Sequence, residues 1–339
     1  MNASRSTPRR GGALLAVLWL SAALAAIAFS LAATVRSEID RTSTEVDGVR
    51  AYHLATGAIE RALAYIQWGA QYRNPDGSPR YYDPWTRLLR FEFPSGVATV
   101  EIIPETSKLN LNSVPPEDLL RLMAGLGIDP VRGRMIASAI VDWRSPARAD
   151  GFSEFDRYYS SLNPSFRPRH ASFQEVEELL LVRGVTPDLF HGWLEWNPQG
   201  RSTERLGLRD CLSVYGGAPA VDVNTAPPPV LAAVGLADRE IRSVLEARAA
   251  EPFRNLDRLR ALGLRPEALS RLVAGGGRVC TLRATARLRT PDGKLGDLRR
   301  TAGAMIYLGE TGGQSYPVLR WHDWMWGQNE RWMPENSLQ

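Results

Sequence analysis

Residues 11–35 contain no Asp, Glu, Lys or Arg. As a helix rising about 1.5 Å per residue, that run reaches about 37 Å, enough to cross a bilayer. Arg5, Arg9 and Arg10 precede it with no acidic residue among them, so the positive-inside rule keeps the head in the cytoplasm and sends residues 36–339 across the membrane. A cleavable secretory signal shares this plan, but its apolar core spans roughly 7–15 residues and ends in a small-x-small exit. Here the run is longer, and no such exit precedes Arg36. Helical spacing continues instead through residues 36–68, with Val46, Val49, Ile59, Leu63 and Ile66 on one face and Ala51, Ala55, Ala58 and Ala62 beside it. One long helix passing from the membrane into an exported body is expected.

The leader Arg9-Arg10-Gly11-Gly12, the apolar start Ala13-Leu14-Leu15-Ala16-Val17-Leu18-Trp19 and the continuing helix together resemble a type IV pilin-like protein. The resemblance implies that a prepilin peptidase cuts after Gly11 or Gly12, leaving a new apolar N-terminus in the bacterial inner membrane. Most such proteins carry a glutamate as the fifth mature residue, where it pairs with the terminal amine of a neighbouring subunit. Ala16 or Val17 stands there in this chain. That departure resembles the K-type minor pseudopilin of the type II secretion pathway. It implies a subunit at the pseudopilus tip, assembling with the I- and J-type minor pseudopilins and other pseudopilus subunits to support protein export across the outer membrane.

Beyond residue 68, Asn74-Pro75-Asp76-Gly77-Ser78-Pro79 reads as a turn. Residues 88–93 and 97–103, rich in β-branched and aromatic side chains around Pro94-Ser95-Gly96, read as a hairpin. After Gly275-Gly276-Gly277 the pattern alternates again. Val279, Thr281, Arg283, Thr285 and Arg287 fall on one face, and Cys280, Leu282, Ala284, Ala286 and Leu288 on the other. Residues 298–308 return, and 316–321 offer a further strand. The fold class is α+β: a long N-terminal helix on an antiparallel sheet, with a large inserted all-α domain. Boundaries follow as 1–11 leader, 12–35 membrane segment, 36–110 with 211–223 and 278–325 as the pilin-like domain, and 111–210 with 224–277 as the insert. The Trp-rich residues 321–333 cover the sheet or touch a partner.

The insert repeats itself. Asn112-Ser113-Val114-Pro115-Pro116 with Leu119 matches Asn224-Thr225-Ala226-Pro227-Pro228 with Leu231, and Phe173, Val176, Glu177 and Leu179 are echoed by Phe253, Leu256, Asp257 and Leu259. A short polar residue followed by prolines reads as a capped helix start. Residues 173–184 read as an amphipathic helix with acidic residues at its start and Arg183-Gly184 at its end. Helix, glycine turn, helix is also the pattern of helix-hairpin-helix DNA binding, which gives the alternative of a membrane-anchored DNA-binding protein. Residues 117–144, however, hold four acidic residues and four arginines, a poor phosphate clamp. Of the 41 basic residues three are in the leader, so the exported body, with 37 acidic residues, is close to neutral. No nucleic-acid partner is expected.

In the K-type resemblance, the loop after Trp143 implies calcium, with Asp142, Asp150, Glu154 and Asp156 as matching ligands. Oxygen donors of this kind suit a hard cation. Ser145, Ala147 and Arg148 stand where the family is richer in aspartate, and the same residues also read as a solvated, ion-paired loop. Cys211 and Cys280 either pair in an oxidising compartment or remain buried thiols. No nucleophile elbow, phosphate loop or His-Glu-x-x-His helix occurs, and the four histidines have no ligand spacing. The chain is expected not to be an enzyme.

Overall fold

The computed structural model describes residues 11–147, 151–196, 202–217, 219–309, 316–323 and 325. The first element, α1 (Gly11–Gln71), is one unbroken helix. Leu18, Trp19 and Phe29 are 67%, 70% and 79% exposed, since no other described part of the chain covers them. Packing begins at Gly48, and the buried apolar stripe is Ala51, Leu54, Ala55, Ala58, Ile59, Ala62 and Ile66. Val46 and Val49, expected on the packed face, stay exposed. The alanines win because small side chains let the helix lie close on the sheet, whose facing residues Ala98, Ala284, Ala286, Ala302 and Ala304 are equally small and fully buried. Close packing of this kind maximises dispersion contacts per residue.

β1 (Leu88–Phe93) and β2 (Gly96–Pro104) form the expected hairpin, with Phe93 opposite Gly96. The chain then leaves the sheet through β3 (Leu109–Asn110), α2 (Pro116–Gly125), α3 (Pro130–Arg144) and α4 (Glu154–Ser160). After a 3-10 turn at Val176–Leu181 come α5 (Pro187–His191), the hairpin β4 (Trp193–Trp196) and β5 (Ser202–Arg205), and α6 (Leu208–Cys211). β6 (Leu212–Ser213) and β7 (Val221–Asp222) precede α7 (Pro228–Ala233), α8 (Asp238–Ala250), α9 (Asp257–Ala261), α10 (Pro266–Leu269) and β8 (Leu272–Val273). The long strands β9 (Val279–Arg289) and β10 (Leu295–Tyr307), with β11 (Val318–His322), close the chain's return.

The five-stranded sheet runs β1-β2-β9-β10-β11, antiparallel throughout. Early and late segments therefore meet in one domain, as expected, because β2 pairs β9 with Val100 opposite Ala284. One face carries the alanine rows beneath α1. On the other, Arg283 is 5% exposed and ion-paired to Glu101, and the Thr285 and Thr301 hydroxyls are 2.9 Å apart. A polar sheet face is buried only when something covers it: Glu105 accepts the Thr281 hydroxyl at 2.7 Å, Met325 N donates to Thr301 O at 3.1 Å, and the helical unit stands across a cleft from the rest.

Two expectations change. Residues 211–223, placed with the sheet, belong to the helical core: β6 pairs in parallel with β3, β7 pairs in parallel with β8, and Cys211, Leu212, Val221 and Val223 pack in the same cluster as α2 and α3. The helix expected over 173–184 is a 3-10 turn. Glu178 folds back so that its Oε1 accepts the amides of Gln174 and Glu175 at 2.7 and 3.1 Å. Leu179 and Val182 then drop into the core, and Gly184 turns the chain at φ 89°.

Candidate functional site

The sequence repeat is a structural one. Asn112 Nδ2 donates to Phe173 O at 3.0 Å and its Oδ1 accepts Phe173 N at 2.7 Å; Asn224 makes the same pair with Phe253, at 2.7 and 2.8 Å. These asparagines, read as helix caps in the sequence, are instead clamps that mimic a strand pairing. The N-caps are Pro115 and Pro227, with no side-chain hydrogen bond. Each unit also has an arginine at the end of its second helix. Arg144 donates to Leu111 O and Val114 O at 2.8 and 2.6 Å, and Arg248 to Val223 O and Ala226 O at 2.9 and 2.8 Å. Burial lowers the pKa of both guanidiniums, that of Arg248 to about 10 with Arg87's charge adding to the effect. Glycines at φ 75° (Gly127) and 99° (Gly235) close the two helical hairpins.

The units pack against each other through their first helices. Gly125 lies so close to Pro229 that a Cβ there would sit 3.3 Å from its Cα, and Arg121 Nε reaches Ala233 O at 2.8 Å. Arg121 is also paired with Asp118, and Arg132 bonds Gly184 O and the Thr186 hydroxyl. With Arg144, three of the four arginines between residues 117 and 144 are thus engaged with protein groups.

The units differ in one respect. Glu251 and Pro252 alone separate α8 from Phe253, whereas residues 145–172 stand between α3 and Phe173. This longer connection is the loop for which calcium was expected. It folds back onto Trp143, which stacks on Phe173 with ring centroids 5.9 Å apart and meets Tyr159 edge-on at 5.7 Å. Burial pushes the Tyr159 hydroxyl up to about 12.

Among the expected ligands, Asp142 and Asp156 converge on Ser153. Its hydroxyl lies 3.2 Å from Asp142 Oδ2, and Ser153 and Asp156 form a capping box for α4. Glu154 is 75% exposed and paired with Arg183 at 2.8 Å. Asp150 lies outside the described residues. His170, not singled out in the sequence, closes the loop: Nε2 is 2.8 Å from Asp156 Oδ1 and Nδ1 is 3.1 Å from Ser145 O. Burial opposes its charged form, but those bonds and the charges of Asp156 and Asp142 outweigh it and raise its pKa, while burial of Asp156 is outweighed in turn by His170 and its pKa falls. Among the described residues, no three acidic, His or Cys side chains group as metal ligands. Asp156 is matched to His170 and Glu154 to Arg183, so the described carboxylates do not fit a calcium cage.

Cys211 and Cys280 are free and buried in different cores, Cys211 among the helices and Cys280 between α1 and the sheet. Burial raises both thiols, Cys280 to about 12.

Two family models described as type II secretion system (T2SS), protein K match residues 107–195 and 221–273, the two structural units just described. The chain belongs to the protein K family of the type II secretion system. A curated member, the type II secretion system protein K of Klebsiella pneumoniae, is 25% identical over 263 residues, covering 71% of this chain and 76% of that protein. A similar solved chain comes from the crystal structure of the GspK-GspI-GspJ complex from enterotoxigenic Escherichia coli, at TM-score 0.47 and 16% identity, covering 85% of this chain and 98% of that one. Membership of the protein K family makes the protein a minor pseudopilin, a structural component of the secretion machinery. Among the described residues it has one helix long and apolar enough to cross a membrane, at its N-terminal end, which makes it a single-pass, membrane-anchored member.

Proposed function

We propose that this chain caps the type II secretion pseudopilus, starting its assembly with the I- and J-type minor pseudopilins and so supporting export across the outer membrane. The observation that carries the reading is the large helical unit, with a core of its own, inserted between the neighbouring strands β2 and β9. A filament shaft stacks slender subunits around their N-terminal helices, and so broad a body stands best where nothing stacks above it. Ala16 and Val17 agree, since neither offers the carboxylate that an upper neighbour's terminal amine would take. The arginines near residues 5–10 orient the head to the cytoplasm and the body to the periplasm, and prepilin peptidase cuts after Gly11 or Gly12. The role needs no catalysis. DNA binding is disfavoured because the arginines of the first hairpin hold Asp118, Gly184 and the loop carbonyls of their own chain.

Residues 36–339 contain both cores whole, since the first packed residue of α1 is Gly48. Mixed with the soluble domains of the I- and J-type minor pseudopilins of the same organism, they should elute from size exclusion as a stoichiometric ternary complex. Separate elution of all three would reject the tip role.

A further inference from the structure

Between the outer face of the sheet and the second helical unit lies a cleft of about 830 Å³. Val97, Ile103, Leu245, Pro252 and Met305 give it apolar walls, and Arg87 and Arg248 both face it. Arg87 precedes β1, and its Nη2 is buried with no hydrogen-bond partner. Arg248 satisfies two carbonyls through Nη1 alone, whereas Arg144 in the first unit uses Nη1 and Nη2 for the equivalent pair. One nitrogen thus does for Arg248 what two do for Arg144. The guanidiniums are near enough for Arg87's charge to disfavour that of Arg248, and burial disfavours both.

The carboxylates around them are already engaged. Asp222, the acid that both arginines sense, accepts the amides of Asn224 and Gly275 on Oδ1 and the Thr225 hydroxyl on Oδ2. On the cleft wall Glu101 is held by Arg283, Glu105 by Lys108 and Thr281, and Glu175 and Glu177 by Arg320, while Asp210 caps the Gly207 amide. Glu105 keeps one buried oxygen without a partner. Two half-buried guanidiniums beside the single charge of Asp222, neither hydrogen-bonded to a carboxylate among the described residues, are a costly arrangement unless something supplies a second one. The room and the apolar walls exceed what a small inorganic anion needs and suit several side chains.

We propose that this cleft receives an acidic, otherwise apolar peptide segment of a partner protein, with one carboxylate seated between Arg87 and Arg248. Bidentate guanidinium–carboxylate contacts give such a pocket both orientation and specificity. The pocket would serve the subunit wherever it stands in the filament.

The test uses the full chain in lipid nanodiscs, with empty nanodiscs as blank. Fluorescence anisotropy follows a labelled Leu-Glu-Val-Glu-Leu-Val peptide and a twin with both glutamates replaced by glutamine. The acidic peptide should bind at least tenfold more tightly than its twin, and Arg87→Gln should abolish the preference. Because the Arg87 Nη2 has no partner, Arg87→Gln should also leave the melting temperature equal or higher, whereas a merely structural arginine would lower it. Equal binding of the two peptides, no binding of either, or a preference that survives Arg87→Gln would overturn the pocket. Met325 reaches the cleft wall, so a variant ending there is the last arm: unchanged affinity supports a partner's segment. A tenfold gain would show the chain's own following residues to be the occupant, and would overturn the partner reading.

Discussion

Asn224→Ala should open the second helical unit. The side chain is 3% exposed and makes both hydrogen bonds available to the Phe253 backbone, at 2.7 and 2.8 Å. Phe253 itself is fully buried, so water cannot replace the lost partner. An orphaned buried donor or acceptor costs about 1–3 kcal/mol, and two are created here. A total near 3 kcal/mol is a conservative reading, equivalent to a rise of roughly a hundredfold in the local opening constant. Asn112 makes the same pair but is partly exposed, so Asn112→Ala should cost visibly less. Hydrogen exchange followed by mass spectrometry reads this locally: the peptide containing Phe253 should lose protection in Asn224→Ala while peptides from β2 and β9 keep theirs. Protection within about 0.5 kcal/mol of wild type, or a larger loss in Asn112→Ala, would refute the clamp as the element that closes the unit.

Gly125→Leu should drive α2 from α7, since even a Cβ would sit 3.3 Å from Pro229; overpacking of this sort costs about 1–3 kcal/mol, and an unchanged melting temperature would contradict it. Glu240 is held down to about 2, chiefly by the side-chain hydrogen bond from Arg265, with burial opposing and the Ala237 amide assisting. Its folded value lies below its ordinary 4.5, so its contribution is present above pH 4.5 and drains away toward pH 2. Stability of the α7–α8 hairpin should fall across that window in wild type and stay flatter in Glu240→Gln. Calorimetry with calcium should give no saturable heat at micromolar concentrations, because Asp156 is already bonded by His170 and Glu154 is paired with Arg183; a heat abolished by Asp142→Asn with Asp156→Asn would restore the metal site. Replacing Gly11 and Gly12 with leucine should leave the leader attached on a gel, and normal maturation would sink the peptidase reading.

Much of the fold was legible because it depends on periodicity. The 88–93 strand, the hairpin after it and the two faces of β9 follow from alternation, and the repeated Asn-x-x-Pro-Pro placed both helical units. What stayed hidden depends on contacts distant in sequence. Nothing around Asn112 tells that its partner is Phe173 rather than its own helix, although the matched spacing to Phe253 in the second copy carried the signal. Residues 211–223 look like sheet strands by composition, yet two-residue parallel pairings to β3 and β8 hold them in the helical core. His170 had no ligand spacing because its ring bonds Asp156 and the Ser145 carbonyl within its own loop, and Arg87 gave no sign because an unmatched charge shows only once burial is known.

Residues 36–46 of α1 are exposed all round, between the apolar run and the first packed turns. As helix they span about 16 Å, roughly two Debye lengths at physiological salt. They act as a standoff. The arginines of the body are screened from lipid headgroups at that height, so the membrane holds the subunit by its stem without drawing its surface down.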